Sequence, residues 1–173
     1  DVADASDKPI ILYNVPSRTG VNIEPATYAA LAEHPMIQGI KEANGQIDKI
    51  VETMALCGDK LDLYSGNDDQ ILPILSLGGI GVISVVANVA PSQTHDMVYK
   101  FLEGDIETAK NLQLGMIELC DALFCFCCSA AQTLLLLFEG RRKQHYKYCL
   151  GICLFKLRNI GAMVGLHMLH DQI

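Results

Sequence analysis

Residues 37–64 read IQGIKEANGQIDKIVETMALCGDKLDLY, and their pattern indicates the fold class. The short apolar runs at residues 37–40 and 61–64 are typical of buried strands. Between them, a turn at Asn44-Gly45 is followed by apolar residues at helical spacing over residues 47–56. A strand, a helix and a second strand in this order predict a βαβ unit, in which the two strands run parallel.

The same alternation continues on both sides of this unit. The further predicted elements are strands over residues 9–13 and 81–86, helices over residues 25–33 and 68–77, and a helix beginning near Pro91. Four βα units in series with apolar strands predict a parallel sheet covered by helices. A doubly wound sheet and part of a (β/α)8 barrel both satisfy this pattern, and periodicity does not choose between them.

Composition excludes several classes of protein. The 173 residues are 50% hydrophobic with a formal net charge of −7, which is enough apolar material for a core and too acidic for a nucleic-acid surface. The chain has no tryptophan and few aromatic residues, so no base-stacking platform is expected. Asp1-Val2-Ala3-Asp4 lacks the apolar core of a signal peptide, and the missing initiator methionine fits the interior of a longer protein.

Charge and cysteine content change sharply along the chain. Residues 1–138 contain 7 Lys/Arg and 18 Asp/Glu, whereas residues 139–173 contain 6 and 2. Cys57 is alone in the first 119 residues, and the other six cysteines follow it from Cys120 onward. Such a shift predicts two segments of different character.

Two residues at predicted strand ends have the chemistry of an active site. Tyr13 ends the first strand and Lys41 the second, so we expect both at one rim of the sheet. Apolar walls around Lys41 favour the neutral amine that a Schiff-base nucleophile requires, and the Tyr13 hydroxyl could relay protons. Arg18 could bind a substrate carboxylate with its planar guanidinium. Alternatively, Lys41 only extends its ammonium to water and Tyr13 only closes the core.

Other motifs predict structural roles. Gly78-Gly79-Ile80-Gly81 precedes a strand, so it predicts a tight helix-to-strand connection rather than a dinucleotide loop. Asp68-Asp69 is expected to cap the helix that follows it. His34 and His95 are isolated in sequence and predict surface positions, so no metal site is expected there. Ser17 lacks the context of a nucleophile elbow.

Four motifs together resemble a known family. They are ILYNVPSRTG at residues 11–20, GIKEA at residues 39–43, SGNDD at residues 65–69 and GVISVVAN at residues 81–88. The motifs occur in the order found in the dihydrodipicolinate synthase family, also called 4-hydroxy-tetrahydrodipicolinate synthase. The resemblance to this family covers about residues 1–124. Arg18 favours the synthase over the sialic acid lyase branch of the same pyruvate-aldolase superfamily.

The resemblance implies a fold and a reaction. The fold is α/β, with this chain holding strands five to eight of a (β/α)8 barrel, followed by C-terminal helices. Lys41 would condense with pyruvate, Tyr13 would relay protons, Arg18 would hold the carboxylate of aspartate semialdehyde, and Ile83 would contact pyruvate through its backbone. The iminium acts as the electron sink, so neither metal nor organic cofactor is implied. The family is typically a cytoplasmic homotetramer in lysine and diaminopimelate biosynthesis.

The departures from the family pattern predict impaired activity. The family's first half is absent, including the Gly-Thr-Thr-Gly-Glu loop that holds pyruvate and a tyrosine contributed by a neighbouring subunit. Four strands cannot close a barrel, so we expect this chain alone to be inactive or very weak. The alternatives are another pyruvate-dependent aldolase, similar to sialic acid lyase, and an inactive truncated remnant.

Residues 125–173 are predicted to be a divergent tail. The family match stops after Phe124, and the cysteine-rich, basic sequence that follows suggests a shifted reading frame. Residues 122–138 are 17 uncharged residues before a basic flank, at the short limit for a membrane span, and a membrane is not the expected partner. A zinc site lacks standard ligand spacing. Its candidate ligands would be Cys127, Cys128, Cys149, Cys153, His167 and His170.

Overall fold

The computed structural model describes residues 1–124, which contain four strands and seven helices. The strands are β1 (Ile10–Asn14), β2 (Ile37–Glu42), β3 (Asp62–Ser65) and β4 (Gly81–Val82). The helices are α1 (Pro16–Thr19), α2 (Pro25–Leu31), α3 (Ile47–Cys57), α4 (Ile71–Ser76), α5 (Pro91–Leu102), α6 (Ile106–Gly115) and α7 (Ile117–Phe124). Contacts divide the chain into two units, residues 1–113 and 114–173. In the second unit, the described residues comprise the end of α6 and α7, with Leu119, Cys120 and Ala122 buried.

The four strands form one parallel sheet in the order β1-β2-β3-β4. Crossovers between parallel strands are right-handed, so a sheet that grows in one direction places every connecting helix on the same face. A doubly wound sheet instead reverses its strand order at a switch point and carries helices on both faces. The observed strand order therefore favours a barrel segment over a doubly wound sheet, the two alternatives that periodicity left open.

One face of the sheet packs against the helices to form the core. Ile40 on β2 and Leu63 on β3 alternate with residues that point to the other face, and both are almost fully buried. They pack with Tyr28 of α2 and Ile50 of α3, whose apolar faces turn inward. The complete buried cluster consists of Tyr28, Ile37, Ile40, Ile50, Cys57, Leu61, Leu63 and Ile74.

The opposite face of the sheet is open to solvent within the described residues. Ile11 and Tyr13 on β1 are each 45% exposed, and Ile83, just after β4, is 40% exposed. Strand residues alternate between faces, so Lys41 lies on the open face while its neighbours Ile40 and Glu42 are buried. In a closed barrel this open face would be the interior.

Most predicted elements are found within a few residues of their expected bounds. The largest difference is β4, which was expected to reach residue 86 and ends at Val82. A 3₁₀ turn at Val86–Asn88 follows instead of a longer strand. The one-turn helix α1 was not predicted, because a four-residue helix is too short to show periodicity.

The role predicted for Asp68 as a helix cap is wrong. The 3₁₀ turn Asp68–Gln70 and α4 have no side-chain cap hydrogen bond. The buried Asp68 carboxylate instead accepts hydrogen bonds from the Ser84 hydroxyl and from the main-chain N–H groups of Val85 (3.0 Å) and Val86 (3.3 Å). Local sequence suggests a cap, but burial brings donors that lie 16 to 18 residues away.

The glycine-rich segment before β4 is a tight helix-to-strand connection, as predicted. Gly78 has a φ of +93°, a backbone conformation that residues with a side chain rarely adopt. A Cβ atom on Gly79 would lie 2.7 Å from the main-chain oxygen of Ile74. Both glycines are therefore required by the turn geometry.

The predictions for the tail fall outside the described residues. Among residues 1–124, no helix is long and apolar enough to cross a membrane, and no group of three or more His, Cys, Asp or Glu is placed to hold a metal ion. The candidate span, the cysteine-histidine cluster and the boundary at residue 124 remain predictions.

Candidate active site

Tyr13 and Lys41 lie directly beside each other. They are register partners in the β1–β2 ladder, and the Lys41 Nζ atom is 4.1 Å from the centroid of the Tyr13 ring. An ammonium over the face of an aromatic ring is attracted by the ring quadrupole. The structure thus brings together the two residues that sequence reasoning placed at one rim, on the open face of the sheet.

A second tyrosine borders Lys41 on its other side. Tyr64 is the register partner of Lys41 in the β2–β3 ladder and is partly buried. Sequence reasoning missed this residue. The signal was available, because Tyr64 alternates with the buried Leu63 and must therefore share the open face with Lys41. Lys41 on β2 consequently has a tyrosine as its register partner on each neighbouring strand, Tyr13 on β1 and Tyr64 on β3.

Ile83 follows the carboxyl end of β4, at the same rim of the sheet as Tyr13 and Lys41. Its main-chain N–H donates to the Ser65 oxygen at 2.9 Å, which extends the β3–β4 pairing by one residue beyond Val82. The segment immediately after it is held by the Asp68 carboxylate. The backbone position of Ile83 is therefore supported from both sides.

Arg18 is separate from this pair. It lies in the exposed helix α1, which Pro16 begins and Gly20 ends with a φ of +71°. Within residues 1–124 its guanidinium forms no ion pair or side-chain hydrogen bond. The structure therefore leaves Arg18 available to an anionic ligand and does not bring it into polar contact with Tyr13 or Lys41.

A buried polar cluster lies on the face of the sheet opposite Tyr13 and Lys41. Glu42 is only 3% exposed, and its carboxylate accepts hydrogen bonds from Asn14 Nδ2 (3.0 and 3.2 Å), the Tyr28 hydroxyl (2.9 Å) and the Asn44 main-chain N–H (2.9 Å). Asn14 and Glu42 are themselves register partners. The cluster therefore joins β1, β2 and α2, and sequence reasoning did not identify it.

Burial shifts the acid–base equilibria of this cluster. Desolvation raises the pKa of Glu42 above its ordinary value of 4.5, and the hydrogen bonds from Asn14 and Tyr28 lower it by less. Desolvation also raises the pKa of the Tyr28 hydroxyl, with the neighbouring Glu42 charge adding to the effect. Both groups are thus held more strongly in their protonated forms than they would be in water.

The raised pKa of Glu42 predicts a pH dependence of stability. The folded chain binds this proton more tightly than the unfolded chain, so the contribution of Glu42 to stability is largest below about pH 4.5 and falls as pH rises through the folded pKa. Urea titrations of the unmodified chain and of Glu42→Gln give the free energy of unfolding of each. We expect the difference between them, unmodified chain minus variant, to decline as pH rises from about 4.5 through the folded pKa. A difference that is constant or rises with pH would contradict this expectation.

The fold and the site define a class of protein. A consecutively ordered parallel sheet with ionisable side chains at one rim is a segment of a (β/α)8 barrel with its candidate site in the usual place for that fold. Residues 1–135 match the model of the dihydrodipicolinate synthetase family. The chain belongs to this family, which confirms the resemblance inferred from its motifs.

Curated relatives agree with the family match. The chain is 56% identical over 124 residues to a 4-hydroxy-tetrahydrodipicolinate synthase of Caldicellulosiruptor saccharolyticus, a match that covers 72% of this chain and 42% of that protein. It is 53% identical over 123 residues to 4-hydroxy-tetrahydrodipicolinate synthase 1 of Clostridium acetobutylicum, with 71% and 42% covered. The chain spans less than half the length of the curated relatives it matches.

Solved structures show the same architecture. Dihydrodipicolinate synthase from Aquifex aeolicus superposes with a TM-score of 0.80 at 30% identity, covering 98% of this chain and 59% of that one. The enzyme from Thermotoga maritima gives a TM-score of 0.79 at 32% identity, covering 95% and 59%. The fold is therefore α/β, and its parallel βα units form the last half of a (β/α)8 barrel, as predicted.

Proposed function

We propose that this chain performs the Schiff-base chemistry of a lyase that condenses pyruvate with aspartate semialdehyde to form 4-hydroxy-tetrahydrodipicolinate, in lysine and diaminopimelate biosynthesis. The contact between Lys41 and Tyr13 carries the proposal, because it places a primary amine 4.1 Å from the ring centroid of a tyrosine on the open face of the sheet. The names of the curated relatives support the same reaction.

The proposed reaction begins at Lys41. Its neutral amine adds to the keto carbon of pyruvate and water leaves, which forms an iminium. Loss of a methyl proton gives an enamine, whose carbon bonds to the aldehyde carbon of aspartate semialdehyde while the aldehyde oxygen takes up a proton. The semialdehyde amino group then replaces Lys41 at the imine carbon, which closes the ring and frees the lysine.

The remaining site residues would assist this sequence. The Tyr13 hydroxyl would carry protons to and from the reacting atoms, since the Tyr13 ring contacts the Lys41 amine. The Ile83 backbone would contact pyruvate, and Arg18 would bind the carboxylate of the semialdehyde. The iminium itself withdraws electrons from the reacting carbon, so the proposal requires neither a metal nor an organic cofactor.

The choice of aldehyde separates this proposal from its rival within enzymes. Pyruvate consumption by the chain should be faster with aspartate semialdehyde than with an N-acylated amino-sugar aldehyde. The reverse preference would favour a lyase similar to sialic acid lyase. When these 173 residues are assayed by themselves, we expect weak overall turnover, because they span 42% of the length of the curated relative. We further propose a cytoplasmic homo-oligomer, and sedimentation of the purified chain would test the self-association.

Arg18→Ala should separate binding of the two substrates. Because Arg18 makes no polar contact with Tyr13 or Lys41, its removal should leave pyruvate capture unchanged. We expect the KM for aspartate semialdehyde to rise about tenfold to a hundredfold, the loss that follows from a missing charge-assisted hydrogen bond. Measuring the rate of pyruvate capture and the KM for aspartate semialdehyde in the variant would decide this. A loss of pyruvate capture would show instead that Arg18 supports the site structurally.

A further inference from the structure

The Tyr13–Lys41 contact has a counterpart on the other face of the sheet. Asn14 follows Tyr13 on β1 and Glu42 follows Lys41 on β2, so the two pairs are consecutive rungs of the same ladder. Side chains alternate between faces, which places the Asn14–Glu42 pair directly behind the Tyr13–Lys41 pair. A shift of either strand that disturbed one pair would therefore disturb the other.

From this arrangement, we propose that Glu42 is a positioning residue: its carboxylate, bound by Asn14 and Tyr28, fixes the Tyr13–Lys41 contact on the opposite face. The reactive role of that contact rests on the proposed function, whereas the positioning itself does not. Glu42 touches no reacting atom in this proposal. It acts through the register of β1 against β2.

The orientation of Asn14 shows that the interaction is directional. The Asn14 side-chain oxygen accepts a hydrogen bond from the Ile23 main-chain N–H at 3.2 Å, so the Asn14 amide nitrogen must face Glu42. That nitrogen also donates to Asn22 Oδ1 at 2.9 Å. The Asn14 amide nitrogen is therefore a fixed donor, and it needs an acceptor at position 42.

The hydrogen-bond donors around Glu42 differ in whether they can also act as acceptors. Asn14 Nδ2 and the Asn44 N–H both donate to Glu42 Oε1 and have no alternative role as acceptors. The Tyr28 hydroxyl faces Oε2 and can either donate or accept. An amide at position 42 could therefore keep its oxygen at Oε1 and donate to Tyr28. Only the weaker 3.2 Å contact between Asn14 and Oε2 would become unfavourable.

These requirements rank three side chains at position 42. The native carboxylate satisfies all the donors, and Glu42→Gln satisfies most of them. Glu42→Met leaves Asn14 Nδ2 with Asn22 as its remaining acceptor and removes the acceptor of the Asn44 N–H. An unsatisfied buried donor would draw the strand ends apart or admit water. We therefore expect the Tyr13–Lys41 contact to weaken in the order unmodified chain, Glu42→Gln, Glu42→Met.

The contact can be measured directly without substrate. The Lys41 ammonium lies over the Tyr13 ring, so the neighbouring methylene protons of Lys41 should be shifted upfield in NMR spectra of lysine-labelled protein. Tyr13→Leu should abolish the shift and Lys41→Arg should remove the signal, which assigns it. The exposed Lys8 provides an unshifted reference in the same spectrum.

The variants test the proposal against this shift. We expect Glu42→Met to reduce it by roughly half or more, and Glu42→Gln to rescue most of it, because the attraction weakens as the ion leaves the ring. Tyr28→Phe, which removes one donor and keeps the carboxylate, should give a small reduction. Glu103→Gln, an exposed glutamate on the surface, should change nothing. An undiminished shift in folded Tyr28→Phe and Glu42→Met would overturn the proposal.

The positioning inference and the proposed function fail in different ways. If the shift responds as expected and no variant captures pyruvate, the positioning inference stands and the Schiff-base function fails. If pyruvate is captured and the rate of capture is the same in Glu42→Gln and Glu42→Met, Glu42 does not position Lys41. Where Glu42→Met does not fold, Tyr28→Phe and Glu42→Gln still compare the shift against the unmodified chain.

Discussion

Replacing Lys41 with alanine is expected to abolish the pyruvate adduct that borohydride fixes to this chain. Borohydride reduces the iminium to a stable secondary amine, so mass spectrometry of the unmodified chain should show one added 1-carboxyethyl group on the peptide that contains Lys41. Alanine has no amine at this position and cannot form the iminium. The expected change is a complete loss of the adduct rather than a reduction.

Two control variants make this result specific. Lys100→Ala removes an exposed lysine on α5 and should leave the adduct intact. Tyr13→Phe keeps the ring beside Lys41 and removes only the hydroxyl, so the adduct should form about a hundredfold more slowly or worse, as expected for loss of a proton-transfer group. An adduct that persists in Lys41→Ala, or an unmodified chain that captures no pyruvate, would refute the proposed chemistry. The second result would favour an inactive remnant.

Replacing Asp68 with alanine is expected to cause the largest loss of stability. Its carboxylate is 2% exposed and receives hydrogen bonds from the Ser84 hydroxyl and two main-chain N–H groups, all of which would lose their acceptor. Three hydrogen bonds to one buried carboxylate are lost together, which costs about 3 kcal/mol or more. That is a large fraction of the stability of a domain of this size.

The neighbouring Asp69 supplies a matched control. It has the same side chain one residue away and is exposed, so Asp69→Ala should change the free energy of unfolding by less than about 0.5 kcal/mol. Urea unfolding of both variants measures the difference. Equal effects of the two substitutions would show that the Asp68 hydrogen bonds do not stabilise the fold.

Loss of Asp68 should also reach the candidate site. The residues it binds follow Ile83 directly, and Ile83 is otherwise held at the sheet edge by its hydrogen bond to Ser65. A buried Gln113 side chain anchors the same region, since it donates to the Asp68 main-chain oxygen at 2.9 Å and accepts from the Leu72 N–H at 3.1 Å. We therefore expect faster hydrogen exchange at Ile83 in folded Asp68→Asn than in Asp69→Asn.

Local sequence was sufficient for most of the architecture. Apolar runs such as residues 37–40 and helical periodicity over residues 47–56 are properties of short segments, and the structure forms a strand and a helix there. The placement of Tyr13 and Lys41 at one rim followed from parallel strands sharing a direction. Strand order did not follow in this way, because periodicity contains no information on which strands become neighbours.

The buried polar residues required the fold. Glu42 and Asn14 read as ordinary polar residues at strand ends, and Asp68 reads as a helix cap. Yet each forms hydrogen bonds with a partner far away in the chain. Charged side chains are rarely buried, so the sequence favours an exposed interpretation. Only packing shows that burial is balanced by hydrogen bonds.

For this chain, residue order alone was enough for the βα alternation, the family motifs and the candidate amine and phenol, since each depends on neighbours within a few positions. The order of the strands, the adjacency of Tyr64 to Lys41 and the hydrogen-bond partners of Glu42 and Asp68 depended on folding. Hydrogen bonds between residues 14 and 42, or 68 and 86, exist only once separate strands and helices have packed, because burial removes water as the competing partner.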